Sequence, residues 1–337
     1  HFKINKAVDN VSFDVYKGEV FGIVGESGCG KTTIGRTIIK LYNATDGNVY
    51  LKGRRIVAGT LSLKNALKEA KEAGDSAKVA EIKNEIAKAM HDHKYCDKKY
   101  MEDTGSKEKL ITKIQMIFQD PIASLNPRMT VREIISEGLQ IRGVKDKNYI
   151  NEKVYEMLEL IGLVREHADR YPHEFSGGQR QRIGIARAIV LNPDILIADE
   201  PISALDVSIQ AQVINLLNEL REKMNLTILF IAHDLSVVKY FSDRIAVMYF
   251  GKMVELASSE DLFANPLHPY TRSLLSAIPV PDPHIEKQRK RIIYNPKTDH
   301  NYETDKPSLR EVSPGHFVLC NEEEENRYKQ EITSSNN

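Results

Sequence analysis

The feature that most constrains this chain of 337 residues is a glycine-rich loop between an apolar strand and a helical pattern. The strand is predicted over residues 18–24, and Ile34, Ile38 and Leu41 follow with helical spacing. Glycines let backbone N–H groups turn inward around phosphate oxygens, and the next helix directs its positive N-terminus at the same anion. The segment therefore predicts the strand–loop–helix of a mononucleotide-binding unit. The loop fits G-x-x-x-x-G-K-[ST] at every position and reads Gly25-Glu26-Ser27-Gly28-Cys29-Gly30-Lys31-Thr32.

Two side chains of this phosphate loop carry its chemistry. Lys31 can reach the β- and γ-phosphates of a nucleotide, and the Thr32 hydroxyl can bind Mg²⁺, which prefers oxygen ligands. Cys29 is interpreted as a small residue that the loop tolerates, not as a redox centre. With Cys96 and Cys320 it makes three widely separated cysteines, which is typical of a reducing compartment without a disulfide framework.

Two further apolar strands are predicted over residues 195–198 and 227–232, and their alternation with helices indicates an α/β fold with a covered parallel sheet. The acidic pair that follows the first strand has two candidate roles. Asp199 is the candidate Mg²⁺ ligand, and Glu200 is the candidate general base that polarises an attacking water. Taken alone, two acids at a strand end could equally form a turn or a helix cap. His233 ends the next strand, where it could bond a γ-phosphate or cap the following helix.

Composition disfavours several other classes of protein. Hydrophobic residues make up 41% of the chain and charged residues 28%, as in globular proteins. The 47 basic side chains balance 47 acidic ones, so no nucleic-acid partner is expected. No apolar run reaches the ~18–20 residues that span a bilayer. The chain has neither an initiator Met nor a signal-peptide pattern, so a missing native start is expected.

The composition also changes along the chain. Residues 57–110 are rich in Lys, Glu and Ala, with two blocks of helical periodicity broken at residues 74–76. They predict a charged helical hairpin, which is either a solvated surface decoration or a docking element for a partner. Residues 119–189 have mostly helical patterns. Residues 257–337 are rich in Pro, Tyr, Asn and Glu, and their last ~15 residues are expected to be disordered.

A second anion site is predicted far from the phosphate loop. Small residues at a helix N-terminus favour an anion, because the helix directs free N–H groups and a partial positive charge at it. One chain would then have two phosphate-type sites, and the economical arrangement is a dimer that holds nucleotide between one site of each kind. The helix begins in the segment Phe175-Ser176-Gly177-Gly178-Gln179-Arg180-Gln181-Arg182.

In these motifs and their order, the sequence resembles the ATP-binding-cassette (ABC) ATPases over roughly residues 1–255. The resemblance implies a P-loop NTPase fold, with an ABC-type nucleotide-binding domain at residues 1–256, an inserted helical subdomain and a C-terminal extension at residues 257–337. The matching pieces are the phosphate loop, Gln119, the Ser-Gly-Gly-Gln signature, residues 195–200, residues 203–206 and His233.

The resemblance also implies ATP and Mg²⁺ as cofactors and assigns roles to residues at matching positions. For catalysis it implies Lys31, Gln119, Glu200 and His233. For ATP it implies Phe2, stacked on adenine, and Gly25, Glu26, Ser27, Gly28, Cys29, Gly30, Lys31, Thr32 and Thr33. For Mg²⁺ it implies Thr32, Gln119 and Asp199. For ATP on the opposite subunit it implies Phe175, Ser176, Gly177, Gly178 and Gln179, and for the dimer seam Asp206.

Shorter segments resemble the oligopeptide/dipeptide importer branch of the family, and its F-type ATPase in particular. Nickel and glutathione importers share the branch and stay as alternatives. Some branch members bind an iron–sulfur cluster through a Cys-rich tail, but this tail has only Cys320, so no cluster is expected. His91, His93 and Cys96 are interpreted as surface residues, not as a metal site. The segments with the resemblance are residues 7–13, 119–121, 124–130, 265–271, 273–279 and 310–318.

The function implied by the resemblance is that of an ATP-hydrolysing energy-coupling subunit of a peptide importer. The implied partners are a paralogous ABC ATPase that forms a heterodimer, two transmembrane permease subunits and an extracytoplasmic peptide-binding protein. The implied place is the cytoplasmic face of a prokaryotic cell membrane. A non-transport ABC ATPase that acts on DNA or ribosomes is the alternative from another class. The single cassette, the short insertion before Gln119 and the neutral charge disfavour it.

Overall fold

The computed structural model describes residues 6–278, 291–302 and 305–335. Its strands are β1 (Val20–Val24), β2 (Asn48–Leu51), β3 (Arg54–Ala58), β4 (Ile114–Ile117), β5 (Ile195–Asp199), β6 (Thr227–Ala232), β7 (Arg244–Tyr249), β8 (Lys252–Ser258), β9 (Ser308–Ser313) and β10 (His316–Cys320). Its α-helices are α1 (Lys31–Ile38), α2 (Leu61–Glu72), α3 (Ser76–Thr104), α4 (Pro121–Ser124), α5 (Val131–Ile141), α6 (Lys147–Leu160), α7 (Gly177–Ile189), α8 (Val207–Met224), α9 (Leu235–Phe241), α10 (Ser259–Ala264), α11 (Pro269–Ser276) and α12 (Glu322–Ser335).

A large mixed sheet runs through the molecule in the order β4-β5-β6-β1-β7-β8-β10-β9, and β2 and β3 form a separate two-stranded sheet. The strands from β4 to β7 in this order are parallel, and β1 lies between β6 and β7. Every residue of β1 is buried, as expected where helices cover both faces of a parallel sheet. The α/β fold predicted from the apolar strands is confirmed.

Alternate residues of β1 belong to two different hydrophobic clusters, because successive side chains of a strand point to opposite faces. Val20 and Val24 lie in the cluster that contains the residues of α5, α6 and α7. Phe21 and Ile23 lie in the other cluster, with residues of β3 and α3. The helical region at 119–189 therefore covers one face of the sheet, and the hairpin side covers the other.

The hairpin consists of α2 and α3, joined at Gly74, whose φ of 70° lies in the left-handed region. The range expected for the hairpin from the sequence, residues 57–110, begins too early, because residues 57 and 58 belong to β3. One face of α3 is part of the core, since Cys96 and Tyr100 are 5% and 9% exposed. Cys96 is thus not a surface residue. His93 Nδ1 lies 2.8 Å from the Ile56 carbonyl oxygen, which further ties α3 to β3.

The C-terminal residues continue the same sheet. β10 pairs antiparallel with β8, and β9 pairs with β10. The division expected at residue 256 falls inside β8. The disorder expected for the last ~15 residues is wrong for those that the structure describes, because residues 322–335 form α12, in which Tyr328 is buried to 1% exposure in a cluster with Leu267, Val312, Val318 and Cys320. In the part of the chain described, no helix is long and apolar enough to cross a membrane.

Candidate nucleotide site

The glycines of the phosphate loop are required by backbone geometry. Gly25 has a φ of 151°, and a Cβ there would lie 2.2 Å from the Met248 carbonyl oxygen. Gly30 has a φ of 104°, and a Cβ there would lie 2.2 Å from the Ala7 carbonyl oxygen. Because both obstacles are backbone atoms, a side chain at either position would force the chain to move. The loop therefore packs tightly against β7 and the N-terminal segment, and α1 begins directly after it.

Lys31 folds back over the loop that precedes it. Its side chain is almost fully buried, and Nζ donates to the carbonyl oxygens of Gly25 at 2.7 Å and Glu26 at 2.9 Å. Two carbonyls thus hold the ammonium at the mouth of the loop. Cys29 is buried beside it, and this burial raises the pKa of the thiol above its usual range. A thiol that stays neutral agrees with the interpretation of Cys29 as a space-filling residue.

Thr32 and Asp199 meet although they lie on α1 and β5. The Thr32 hydroxyl donates to Asp199 Oδ1 at 2.8 Å. Asp199 is 0% exposed, and its other oxygen, Oδ2, has no hydrogen-bond partner among the described residues. Burial raises the pKa of Asp199 above its usual range, although the Thr32 hydrogen bond lowers it. A buried carboxylate oxygen without a partner, next to a hydroxyl, is a donor set that suits a hard cation.

Glu200, Gln119 and His233 converge at the carboxyl ends of three neighbouring parallel strands, β5, β4 and β6, where ligands bind in sheets of this kind. Gln119 Nε2 donates to Glu200 Oε2 at 3.0 Å, and His233 Nδ1 lies 3.2 Å from the same oxygen. Glu200 has a φ of 45°, which is uncommon for a residue other than glycine. Its N–H donates to the Ile231 carbonyl oxygen at 2.9 Å, so β6 holds this backbone conformation.

The signature segment begins α7 at another place in the chain. Ser176 caps the helix: its Oγ accepts from the Gln179 N–H at 3.3 Å, and the Gln179 side chain accepts from the Ser176 N–H at 3.0 Å. A Cβ on Gly178 would lie 2.5 Å from Ile209 of α8. Phe175 is 4% exposed and packs edge-on against His167, so its side chain anchors the segment and does not face an opposite subunit.

Ser176 and Gly177 are exposed, and so is Asp206, the residue before α8. None of the hydrogen bonds that Ser176 and Gln179 make among the described residues reaches the phosphate loop. Of the other residues expected at the site, Thr33 lies on α1 and Phe2 lies outside the described residues. A single chain thus brings together Lys31, Thr32 and the three strand-end residues, but not the signature.

Sequence reasoning missed one contact of the loop. The Glu26 N–H donates to the hydroxyl of Tyr270, at the start of α11, at 3.2 Å. Tyr270 lies in residues 265–271, one of the segments that resemble the importer branch, but no local pattern connects it to a loop 244 positions away.

Two protein families match the chain. The ABC transporter family matches residues 8–203, which is more than half of the chain, and the family "Oligopeptide/dipeptide transporter, C-terminal region" matches residues 254–306. The chain therefore belongs to the ABC transporter family. Within that family it is an ABC ATPase that carries the C-terminal region of oligopeptide/dipeptide transporters. The resemblance stated from the sequence is confirmed.

Curated relatives agree with this assignment over nearly the whole chain. The oligopeptide transport ATP-binding protein OppF of Bacillus subtilis is 54% identical over 323 residues, which are 95% of this chain and 91% of that protein. The dipeptide transport ATP-binding protein DppF of Lactococcus lactis is 47% identical over 332 residues, which are 98% of this chain and 92% of that protein.

Solved structures of ATP-binding cassettes have the same fold. One is the dimeric post-hydrolysis state of the cassette MJ0796 bound to ADP and Pi, with a TM-score of 0.55, 26% identity and coverage of 77% of this chain and 94% of that one. Another is cbiO1 of Clostridium perfringens, with a TM-score of 0.57, 20% identity and coverage of 84% and 91%; it supports the fold alone.

Proposed function

We propose that this chain hydrolyses ATP, with Glu200 as the general base, and that the hydrolysis powers import of oligopeptides or dipeptides. The observation that carries the proposal is the convergence of Gln119 and His233 on one carboxylate oxygen of Glu200, at 3.0 and 3.2 Å. Two partners fix the direction of this carboxylate, and a fixed carboxylate is what proton transfer from an attacking water requires. Gln119 and His233 act here as groups that hold the base.

Lys31 and the loop amides bind the phosphates. The ammonium now rests on two carbonyls at the mouth of the loop, so an incoming phosphate can take the place of these weaker acceptors. Asp199 Oδ2 and the Thr32 hydroxyl would hold Mg²⁺, together with Gln119, which contacts the adjacent residue Glu200. When bound, this cation neutralises charge that develops on the transferred phosphoryl group.

The complete site is proposed to form between two subunits. Ser176, Gly177 and Asp206 are exposed and do not reach the phosphate loop of their own chain. The N-terminus of α7 offers free N–H groups and a partial positive charge to the γ-phosphate of an ATP on the facing subunit. The facing subunit in this proposal is a paralogous ABC ATPase, so that each composite site combines one loop with one signature.

The transport role follows from the relatives. OppF of Bacillus subtilis and DppF of Lactococcus lactis are named as oligopeptide and dipeptide transport ATP-binding proteins, and the match to each covers nearly all of this chain. The partners in this proposal are two permease subunits and an extracytoplasmic peptide-binding protein, with the ATPase on the cytoplasmic face of a prokaryotic membrane. ATP closes the pair of ATPases, hydrolysis reopens it, and the region around Gln119 transmits the motion to the permeases.

Glu200→Gln tests the catalytic assignment. The amide keeps the shape of the side chain and can still bind its neighbours, but it cannot accept the proton of the attacking water. ATP hydrolysis should fall by ~10²–10⁴-fold, while the affinity for ATP stays within a few-fold of wild type. Phosphate release and equilibrium ATP binding, measured on the full chain with its partner ATPase, give the two quantities.

The matched control is Glu222→Gln, the same chemical change at an exposed position of α8, which should leave hydrolysis unchanged. ATP should also trap the Glu200→Gln protein in a closed dimer that size-exclusion chromatography detects. Steady-state hydrolysis by Glu200→Gln within a few-fold of wild type would contradict the assignment of Glu200 as the base.

A further inference from the structure

The hydrogen bond between Glu26 and Tyr270 joins the C-terminal extension to the phosphate loop, and the proposed catalytic arrangement does not use it. The donor is the main-chain N–H of Glu26 and the acceptor is the tyrosine hydroxyl, 3.2 Å away. The side chain of Glu26 is exposed, whereas Tyr270 is 2% exposed. The contact is thus made by the backbone of the loop and a side chain that is fixed inside the protein.

Tyr270 and Lys31 hold the two ends of one peptide unit. The carbonyl oxygen of Gly25 accepts from Lys31 Nζ at 2.7 Å, and the N–H of the same peptide group, that of Glu26, donates to Tyr270. Because the peptide is planar, fixing both groups fixes the orientation of the loop at its first turn. When Lys31 turns to a phosphate, the hydrogen bond to Tyr270 is the one that continues to hold this peptide.

A series of buried hydrogen bonds positions Tyr270. His268 Nδ1 accepts from the Tyr270 N–H at 3.1 Å and so caps α11. The N–H groups of Leu267 and His268 donate to the Glu255 carboxylate at 2.9 and 3.0 Å. His316 Nε2 lies 2.7 Å from Glu255 Oε1. Since Glu255 lies on β8 and His316 on β10, the series runs from the C-terminal strands to the loop.

Two groups of this series, His268 and Tyr270, are in the protonation states that their hydrogen bonds need. Burial lowers the pKa of His268 to about 3, so the imidazole is neutral and Nδ1 can accept a hydrogen bond. Burial also raises the pKa of Tyr270, so its hydroxyl stays protonated and uncharged. The Tyr270 ring packs against Tyr249 and Tyr294, with centroids 4.4 and 5.5 Å apart.

We infer that Tyr270 is a positioning residue of the phosphate loop, through which the C-terminal extension sets the affinity of the loop for nucleotide phosphates. The inference rests on the proposed ATPase function, because it concerns the same loop. It assigns a role to residues 267–270, which the catalytic arrangement leaves unexplained. Tyr270 acts on the nucleotide only through the Glu26 amide.

Tyr270→Phe removes the hydroxyl and keeps the ring. The dissociation constants of ATP and ADP for the purified full chain should rise about three- to ten-fold, as expected when the main-chain amide of Glu26 loses the hydrogen bond that orients it. KM for ATP should rise by a similar factor, and kcat should change less than two-fold, because Glu200 and its partners lie elsewhere. The melting temperature without nucleotide should change little, since the packing of the ring is retained.

The matched control is Tyr294→Phe, the same change in a ring that packs against Tyr270, which should bind nucleotide as wild type does. Equal nucleotide affinities for Tyr270→Phe and wild type would overturn the inference, and so would a fall in melting temperature with no change in affinity. Failure of the proposed function gives a different result, in which the wild-type chain neither binds nor hydrolyses ATP.

Hydrogen exchange of the wild-type chain gives a test that does not depend on how the variant folds. In the absence of nucleotide, the Glu26 amide should exchange more slowly than the amides of Ser27 and Gly28, which follow it in the same exposed loop. Exchange of the Glu26 amide as fast as that of these two neighbours would overturn the inference. In Tyr270→Phe, the Glu26 amide should lose this protection while the amides of β1 keep theirs.

Discussion

Adjacent acids at the end of β5 have opposite surroundings. Asp199 is 0% exposed and its Oδ2 has no hydrogen-bond partner within the described ranges, whereas the Glu200 side chain is 12% exposed and contacts Gln119 and His233. The sequence around these two residues predicts a strand that ends in two acids, because an apolar run followed by charged residues is a pattern contained within one segment. The difference between the two acids could not be predicted in this way, because it depends on α1 and on two other strands.

Asp199→Asn should stabilise the chain without nucleotide and abolish hydrolysis. Burial raises the folded-state pKa of Asp199 above its unfolded value, so the stability of the wild type falls as the pH rises through the raised pKa. The amide carries no charge and keeps an oxygen that can accept from Thr32. At pH values above the usual pKa range of an aspartate, the melting temperature of the variant should exceed that of wild type by a few degrees, and the difference should grow as the pH rises toward the raised pKa of Asp199.

The control for this prediction is Asp14→Asn, the same change at an exposed position. Differential scanning fluorimetry across the pH range gives the stabilities, and phosphate release gives the activity. A variant less stable than wild type at every pH would show that the buried carboxylate does not destabilise the fold.

Among the helices, α5 and α7 begin with the same device. Thr130 and Glu133 form a capping box at α5, and Ser176 and Gln179 form one at α7. Both satisfy N–H groups that a helix start would leave free. Only the capping box of α7 lies in the signature. A comparison of the two helices therefore distinguishes the structural role of a capping box from the proposed role of the signature in ATP binding.

Ser176→Ala and Thr130→Ala make a matched pair at this scale. Each should cost about 0.5–2 kcal/mol of stability, because each removes an N-cap side chain. Ser176→Ala should also lower ATP hydrolysis about 10–100-fold, as expected for a lost hydrogen bond to a charged group, whereas Thr130→Ala should stay within about two-fold of wild type. Melting temperatures and phosphate release check both effects. Equal losses of hydrolysis in the two variants would contradict the signature assignment.

Two elements show where local patterns fail. The hairpin was predicted from its charge and periodicity, but the burial of Cys96 and Tyr100 comes from the contact of α3 with β3. The acidic composition of residues 322–325 is typical of disorder, yet α12 forms there. Its stability comes from the burial of Tyr328 and from a contact of 2.7 Å between Glu324 and the buried His300. Tertiary contacts of this kind have no signal within the segment itself.

At the scale of the whole molecule, one sheet joins parts that the sequence separates. The parallel strands place Glu200, the proposed base, and the phosphate loop at one edge, and the antiparallel pairing of β8 with β10 adds the C-terminal extension to the same sheet. The motifs predicted the arrangement of the parallel strands and the phosphate loop, because each motif is continuous in sequence. The contact of Tyr270 with Glu26 spans 244 positions, and it is known only from the folded chain.

The most direct test of the account is ATP-driven peptide uptake by the assembled transporter. The complex is purified from host membranes through a tag on this chain, reconstituted into liposomes with ATP at the ATPase face, and given a labelled oligopeptide. Wild type should accumulate the peptide only with hydrolysable ATP, and the Glu200→Gln complex should bind ATP but accumulate none. Uptake that is unaffected by Glu200→Gln, or a wild-type complex that transports nickel or glutathione and not peptide, would contradict the proposal that ATP hydrolysis by this chain drives peptide import.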